Sequence, residues 1–121
     1  MLTYNIQRIF KARGVEKPYS FLRQHGFSNN FASRLKQNNI YRIDPRELEK
    51  LCVILHCTPN DLLEWTDDGE YTIDGSHPLR KLMSPDKNVD MNKTINSIPL
   101  NKVAEIEDLI KAKLKEYEGE G

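Results

Sequence analysis

The sequence predicts an all-α chain: five short helices in the first 66 residues, a polar linker, and a longer amphipathic helix near the end. Three observations predict it. Helix start and stop signals recur at short intervals, with Pro18, Pro45 and Pro59 where helices would begin and Gly14 and Gly26 where they would end. Between these signals, apolar residues repeat at helical rather than strand spacing. Residues 99–117 carry one apolar stripe on an otherwise charged helix. The pattern divides the chain into residues 1–66, a linker of residues 67–98 with room for short helices, and a helix over residues 99–118.

Residues 3–14, TYNIQRIFKARG, read as the first helix, with Ile6, Ile9 and Phe10 on one face and Arg8, Lys11 and Arg13 outside it. Gly14 follows the basic last turn as a helix-ending residue. Pro18 opens a second helix that runs through Tyr19, Phe21 and Leu22 to His25, and Gly26 ends it. Ser28 is a good N-cap for a third helix from Asn29 to about Gln37, with Ala32 and Leu35 as its buried stripe. Only Gly26, Phe27 and Ser28 connect the second and third helices, so the two must cross steeply, with Phe27 in the angle. Residues 38–43 form a loop. Asp44, Pro45 and Glu47 make a strong start signal for a fourth helix with Leu48, Leu51, Cys52 and Leu55 on its apolar face. Thr58, Pro59 and Asp61 repeat that signal for a short fifth helix carrying Leu62, Leu63 and Trp65.

The pattern breaks after Trp65. TDDGEYTIDGSHP is polar, acidic and glycine-containing, which reads as linker. LRKLM suggests one helical turn, and a short helix fits after Asp90. In the last helix Val103, Ile106, Ile110 and Leu114 make the apolar stripe, which must be covered by something. The occupant is a second copy, the rest of the chain, or a different protein, and a homodimer is the favoured expectation. The mixed polar face argues against membrane binding.

With 38% hydrophobic and 30% charged residues, the chain holds enough apolar material for a thin but compact core. MLTYNIQRIF lacks the apolar centre of a signal peptide, and no apolar run approaches a membrane span. Two cysteines are too few for a disulfide framework and fit a reducing compartment, so a cytoplasmic protein is expected.

The formal net charge is zero, but its distribution is not even. Residues 1–43 hold eight basic residues against Glu16 alone, a balance of +7. Residues 44–75 hold two basic against nine acidic residues, a balance of −7. A polyanion responds to the local field, so the first third is the phosphate-seeking part. The competing reading is that such charge blocks only solvate a surface.

Two segments carry a family resemblance. FLRQHGFSNNFASRL (residues 21–35) fits a twenty-residue helix-turn-helix pattern, with Gly26 on the turn glycine, Phe27 on the apolar residue after it, Ser28 on the cap, and Ala32 and Leu35 on buried positions. LEKLCVILHCTPNDLLEW (residues 48–65) is similar to a closing segment of the type L..LC..L.C.P.DLL. Together these resemble the lambda-repressor-like, Cro-type helix-turn-helix (XRE) family of bacterial DNA-binding transcriptional regulators, over roughly Ile6 to Trp65. Leu22 stands where the family usually has Ala, and Ala32 where it usually has Val or Ile. The paired exchange conserves volume across the helix crossing.

The resemblance implies a five-helix lambda-repressor-like domain that binds double-stranded DNA with its third helix in the major groove. Repression is one sign that the regulation could take. Asn29 and Asn30 each offer a donor and an acceptor, which suits adenine N6 and N7. Capping the helix is a compatible use of both. Ser33 can touch a base or a phosphate, and Arg34 can bond guanine or a phosphate. Lys36, Asn38 and Arg42 are placed for backbone phosphates, as are Lys17, Tyr19 and Ser20 at the start of the second helix, and the cap Ser28. Phe31 can pack on Phe21 or touch a thymine methyl.

No Ser/His/Asp grouping or glycine-rich phosphate loop points to an enzyme. Cys52, His56 and Cys57 lack a fourth ligand, and Cys52 belongs to an apolar face, so neither a metal nor another cofactor is expected. No small-molecule effector is evident. The reading from another class is a protein-interaction module, an antitoxin-like or accessory subunit, that keeps the fold but binds protein. The unopposed basic third, which such a surface would not need, discriminates between the two.

Overall fold

The computed structural model describes residues 1–37, 40, 42–83 and 89–120. The chain forms two units, Met1–Met91 and Asn92–Gly121.

In the first unit the elements follow in the order β1 (Leu2–Tyr4), α1 (Ile6–Ala12), α2 (Pro18–Gln24), α3 (Asn29–Lys36), α4 (Pro45–Leu55), α5 (Pro59–Leu62) and β2 (Leu63–Trp65). The fold is mostly helical, with five helices through residue 62. The two ends of this run differ from the sequence expectation. The first helix starts at Ile6 rather than Thr3, and the fifth stops at Leu62. Leu2–Tyr4 and Leu63–Trp65 instead pair as an antiparallel ribbon, with Leu2 opposite Trp65, Thr3 opposite Glu64 and Tyr4 opposite Leu63. Asn5 N–H donates to Leu62 O at 2.8 Å and Thr66 N–H to Met1 O at 2.9 Å, extending the ladder at both ends. Asn5 then caps α1 by accepting from Arg8 N–H. Each strand supplies the backbone partners that the other would lack, and a longer helix at either end would forgo them.

The core is one cluster built on Ile6, Phe10, Leu22, Leu35, Leu51 and Leu55, each at most 1% exposed. Local signals set the helix boundaries around it. Ser28 Oγ accepts from Phe31 N–H at 3.1 Å. Asp44 Oδ1 accepts from Arg46 N–H at 2.8 Å, and Glu47 Oε1 accepts in return from Asp44 N–H at 3.3 Å. The Asp61 carboxylate accepts from both N–H and O–H of Thr58, at 2.9 and 3.1 Å.

Three helices end in one motif. At the end of α2, Gly26 has φ +87°. Phe27 N–H reaches back to Leu22 O, and Gly26 N–H to Arg23 O, both at 3.1 Å. At the end of α1 the same pair of bonds runs from Val15 to Phe10 and from Gly14 to Lys11. At the end of α4 the left-handed position is held by His56, φ 51°, with Cys57 N–H bonded to Cys52 O at 3.0 Å.

The segment after β2 packs back on it. Arg80 lies over the Trp65 ring, 5.6 Å from its centroid. Its guanidinium donates to Asp74 O at 2.7 Å and Ile73 O at 3.3 Å, and pairs with Asp67 at 3.4 Å. Arg80 sits in a 3₁₀ helix over Pro78–Leu82, where one helical turn is expected, and α6 (Met91–Asn96) follows Asp90.

The second unit holds a 3₁₀ turn, Leu100–Lys102, that leads into α7, Val103–Glu120. The α-helix therefore begins at Val103, one turn later than Pro99. Ile110, Leu114 and Tyr117 are each about half exposed, and Val103 is 37% exposed. No helix among the described residues is long and apolar enough to cross a membrane.

Candidate nucleic-acid interface

Helix α3 is amphipathic for a reason visible in its sequence. Phe31, Ala32 and Leu35 are each at most 2% exposed and lie on one side. At about 100° per residue the opposite side is centred on Asn30, Ser33 and Gln37, with Asn29, Arg34 and Lys36 as its flanks. Asn29, Asn30, Arg34, Lys36 and Gln37 are exposed and Ser33 is half-buried. The helix carries no acidic side chain, and its two charges, Arg34 and Lys36, are basic. Gln37 lies on this outward face although the sequence reading did not place it there. Its spacing from Ser33 (i+4) and Asn30 (i+7) is the signal that finds it.

Buried side chains, a ring stack and hydrogen bonds aim the helix. Leu22 of α2 and Ala32 of α3, the residues of the volume-conserving exchange, are both fully buried. Phe27 in the connecting turn stacks on Phe31, with ring centroids 4.9 Å apart. Phe31 thus packs inward, against Phe27 rather than Phe21, and Phe21 meets Phe10 edge-on at 6.2 Å. Arg23 Nη1 donates to Phe27 O at 2.8 Å, which holds the turn to the helix before it. From α1, Gln7 Nε2 donates to Leu35 O at 2.9 Å and Lys36 O at 3.4 Å. It satisfies carbonyls that the helix end leaves without an intrahelical partner.

The starts of α2 and α3 are joined directly. The Tyr19 hydroxyl donates to Asn29 Oδ1. Asn29, itself exposed, therefore has its carbonyl oxygen engaged, and Asn30 is exposed on the next position. Lys17, Ser20 and Ser28 are exposed close to this junction in sequence, and Tyr19 is half-buried. Arg42 is exposed in the loop after α3. Asn38 lies outside the described residues.

The basic block of the first third is divided by the fold. Arg13 donates from Nε to Leu55 O at 2.8 Å and from Nη2 to His56 O at 2.6 Å, closing the end of α4. Arg8 Nη2 donates to Asp61 O at 2.7 Å. Arg23 holds the turn. These three guanidiniums are committed to backbone carbonyls, which leaves Lys11 on α1 and Lys17, Arg34, Lys36 and Arg42 of the helix-turn-helix stretch as the block's other cations, all exposed. Lys50 of α4 joins them from outside the block. Its ammonium sits 4.7 Å above the Phe27 ring, beside Gly26.

A short helix, a turn held by a left-handed glycine, and a second helix that turns polar and basic groups outward form a helix-turn-helix unit. Comparison with known families agrees: residues 5–68, more than half of the chain, match the Cro/C1-type helix-turn-helix DNA-binding domain. The chain belongs to the Cro/C1-type helix-turn-helix family. It is in general terms a DNA-binding regulator. The match begins beside the ribbon, at Asn5, and ends just past it, so it takes in α1 to α5 and β2. No curated protein and no solved structure matches this Cro/C1-type chain. Among the described residues no three His, Cys, Asp or Glu side chains gather as metal ligands.

Proposed function

We propose that this Cro/C1-type protein is a sequence-specific regulator of transcription that reads double-stranded DNA with α3 in the major groove. One observation carries the reading. The face of α3 opposite its buried stripe presents Asn30, Ser33 and Gln37 with Arg34 and Lys36 beside them, and no carboxylate. Short amide and hydroxyl side chains let a helix backbone approach base edges, and the flanking cations neutralise phosphates. Asn30 is the residue for adenine. Asn29 donates its amide N–H₂ while Tyr19 holds its oxygen, and Ser33, Gln37 and Arg34 extend the reading along the groove. Lys17, Tyr19, Ser20, Ser28, Lys36 and Arg42 contact the backbone. Bound over a promoter, such a domain represses by occupying the site. The homodimer expected through Val103, Ile106, Ile110 and Leu114 would present two such helices to two half-sites.

The test is selection of bound sequences from a random duplex library, followed by sequencing. An enriched inverted repeat supports specific readout by a symmetric dimer, and a single short motif supports readout by one unit. No enrichment by folded protein overturns the proposal in favour of a protein-binding role.

A further inference from the structure

The structure carries an apolar stripe on α7 that is open in the single chain, and the sequence along that helix is self-complementary about one residue. Val103, Ile106, Ile110, Leu114 and Tyr117 are spaced 3, 4, 4 and 3 apart, so the series reads the same in both directions from Ile110. At about 100° per residue, all five fall within about 40° of Ile110 around the helix. Within five residues of Ile110 the charges are ordered too: Glu105, Glu107 and Asp108 precede it, and Lys111, Lys113 and Lys115 follow it.

We infer that two copies of α7 pair antiparallel, with a two-fold axis passing beside Ile110. A second copy is the occupant because the stripe then meets its own reverse: Ile110 faces Ile110, Ile106 faces Leu114, and Val103 faces Tyr117. Such a contact is isologous, as closed dimers require. The flanks decide the orientation. Glu107 and Lys111 lie on the same side of the stripe. In an antiparallel pair, Glu107 of one copy comes within two residue steps, about 3 Å along the axis, of Lys111 of the other. The symmetry repeats this pair, so each dimer has two attractions, set against one repulsion where the two copies of Lys111 meet at the same two-step offset. In a parallel pair, the side bearing Lys111 and Glu118 faces the side bearing Lys113 and Glu116. Lys then meets Lys and Glu meets Glu at the same two-step offset. Antiparallel pairing also opposes the two helix dipoles.

Within one helix Lys111 already pairs with Glu107 at 2.9 Å. A single charge reversal therefore disturbs two contacts, and the experiment must separate them. The inference rests on the homodimer reading but not on any DNA sequence, so the measurement is made on the full chain without DNA. Sedimentation equilibrium of the wild type should give a dimer at micromolar concentrations. Ile110→Glu, which sets two carboxylates face to face on the axis, should give a monomer with unchanged thermal unfolding of the first unit. Glu107→Lys and Lys111→Glu should each weaken dimerisation about fivefold or more at low salt. Mixed in equal amounts, the two variants should recover near wild-type association. In the mixed dimer one cross-seam pair has its two charges exchanged and the other is native, so both pairs attract. The intrahelical pair stays broken in the mixture, so recovery reports the contact between copies. A monomeric wild type overturns the homodimer reading itself. A dimer that survives Ile110→Glu, or a mixture that fails to recover, overturns the antiparallel arrangement alone.

Discussion

Replacing Gly26 by Ala tests the turn that aims α3. Gly26 has φ +87°, a conformation that costs an L-residue roughly 1–2 kcal/mol. An added Cβ would also stand 2.9 Å from Lys50 Nζ, so the lysine must move. Lys50 has a flexible stem, and moving it gives up its place 4.7 Å over the Phe27 ring, a contact of about 0.5–1 kcal/mol at an exposed site. The less flexible unfolded chain offsets about 0.4–1 kcal/mol. The net expectation is a loss of about 1–2 kcal/mol, a fall in Tm of roughly 4–16 °C for a domain of this size. Urea unfolding followed by the fluorescence of Trp65, the one tryptophan and 5% exposed, measures it directly. The two causes separate in a Lys50→Ala background. There the ring contact and the clash are gone, and about 1 kcal/mol should remain from the backbone alone. A Gly26→Ala protein within about 0.3 kcal/mol of wild type would refute the backbone argument. So would an effect that vanishes entirely in the Lys50→Ala background, which would assign all of it to the lysine.

The converse change is His56→Gly, which relieves the left-handed strain at the end of α4 while keeping the carbonyl that Arg13 binds. It should stabilise by about 0.5–1 kcal/mol in the same urea titration. Asn30→Ala should lower discrimination at one base pair by about 1–3 kcal/mol, leaving Tm unchanged, when the selected site and its single-base variants are compared. Lys36→Ala should weaken binding equally on all sequences and reduce the slope of log K against log salt by about 1, read from titrations at several ionic strengths. Burial, above all, pushes the Cys57 thiol up to about 11, with Cys52 and Asp61 adding to it. A raised thiol pKa means less thiolate at a given pH. At pH 8 the folded protein should therefore alkylate at Cys57 about 100-fold more slowly than a thiol at the ordinary value of 9.0, and urea should restore the rate.

The sequence made the starts of α3, α4 and α5 legible because each is a local device. Ser28, Asp44 and Asp61 bond to N–H groups within three residues, and nothing distant is needed to read them. The same holds for Gly14 and Gly26, and for the buried side of α3. The ribbon was not legible. Leu63 and Trp65 continue an apolar run that fits a helix as well as a strand, and only pairing with residues some sixty positions earlier decides between them. The left-handed turn at His56 was hidden for the opposite reason, since histidine does not advertise it as glycine does. Charge counting correctly found the basic third but could not divide it. Which guanidiniums bind carbonyls depends on where Leu55, His56 and Asp61 lie in space, so Arg8 and Arg13 read the same as Arg34 until the chain is folded.

The ribbon also sets a clock on the making of this protein. Leu2–Tyr4 leaves the ribosome before its partner Leu63–Trp65, which follows some sixty residues later. At about 5–20 residues per second the first strand waits roughly 3–12 s for it. Helices form in about a microsecond and do not wait. Nascent α1 to α4 are therefore free to gather their core first, and the ribbon closes last, as a clasp fastened over a body already assembled.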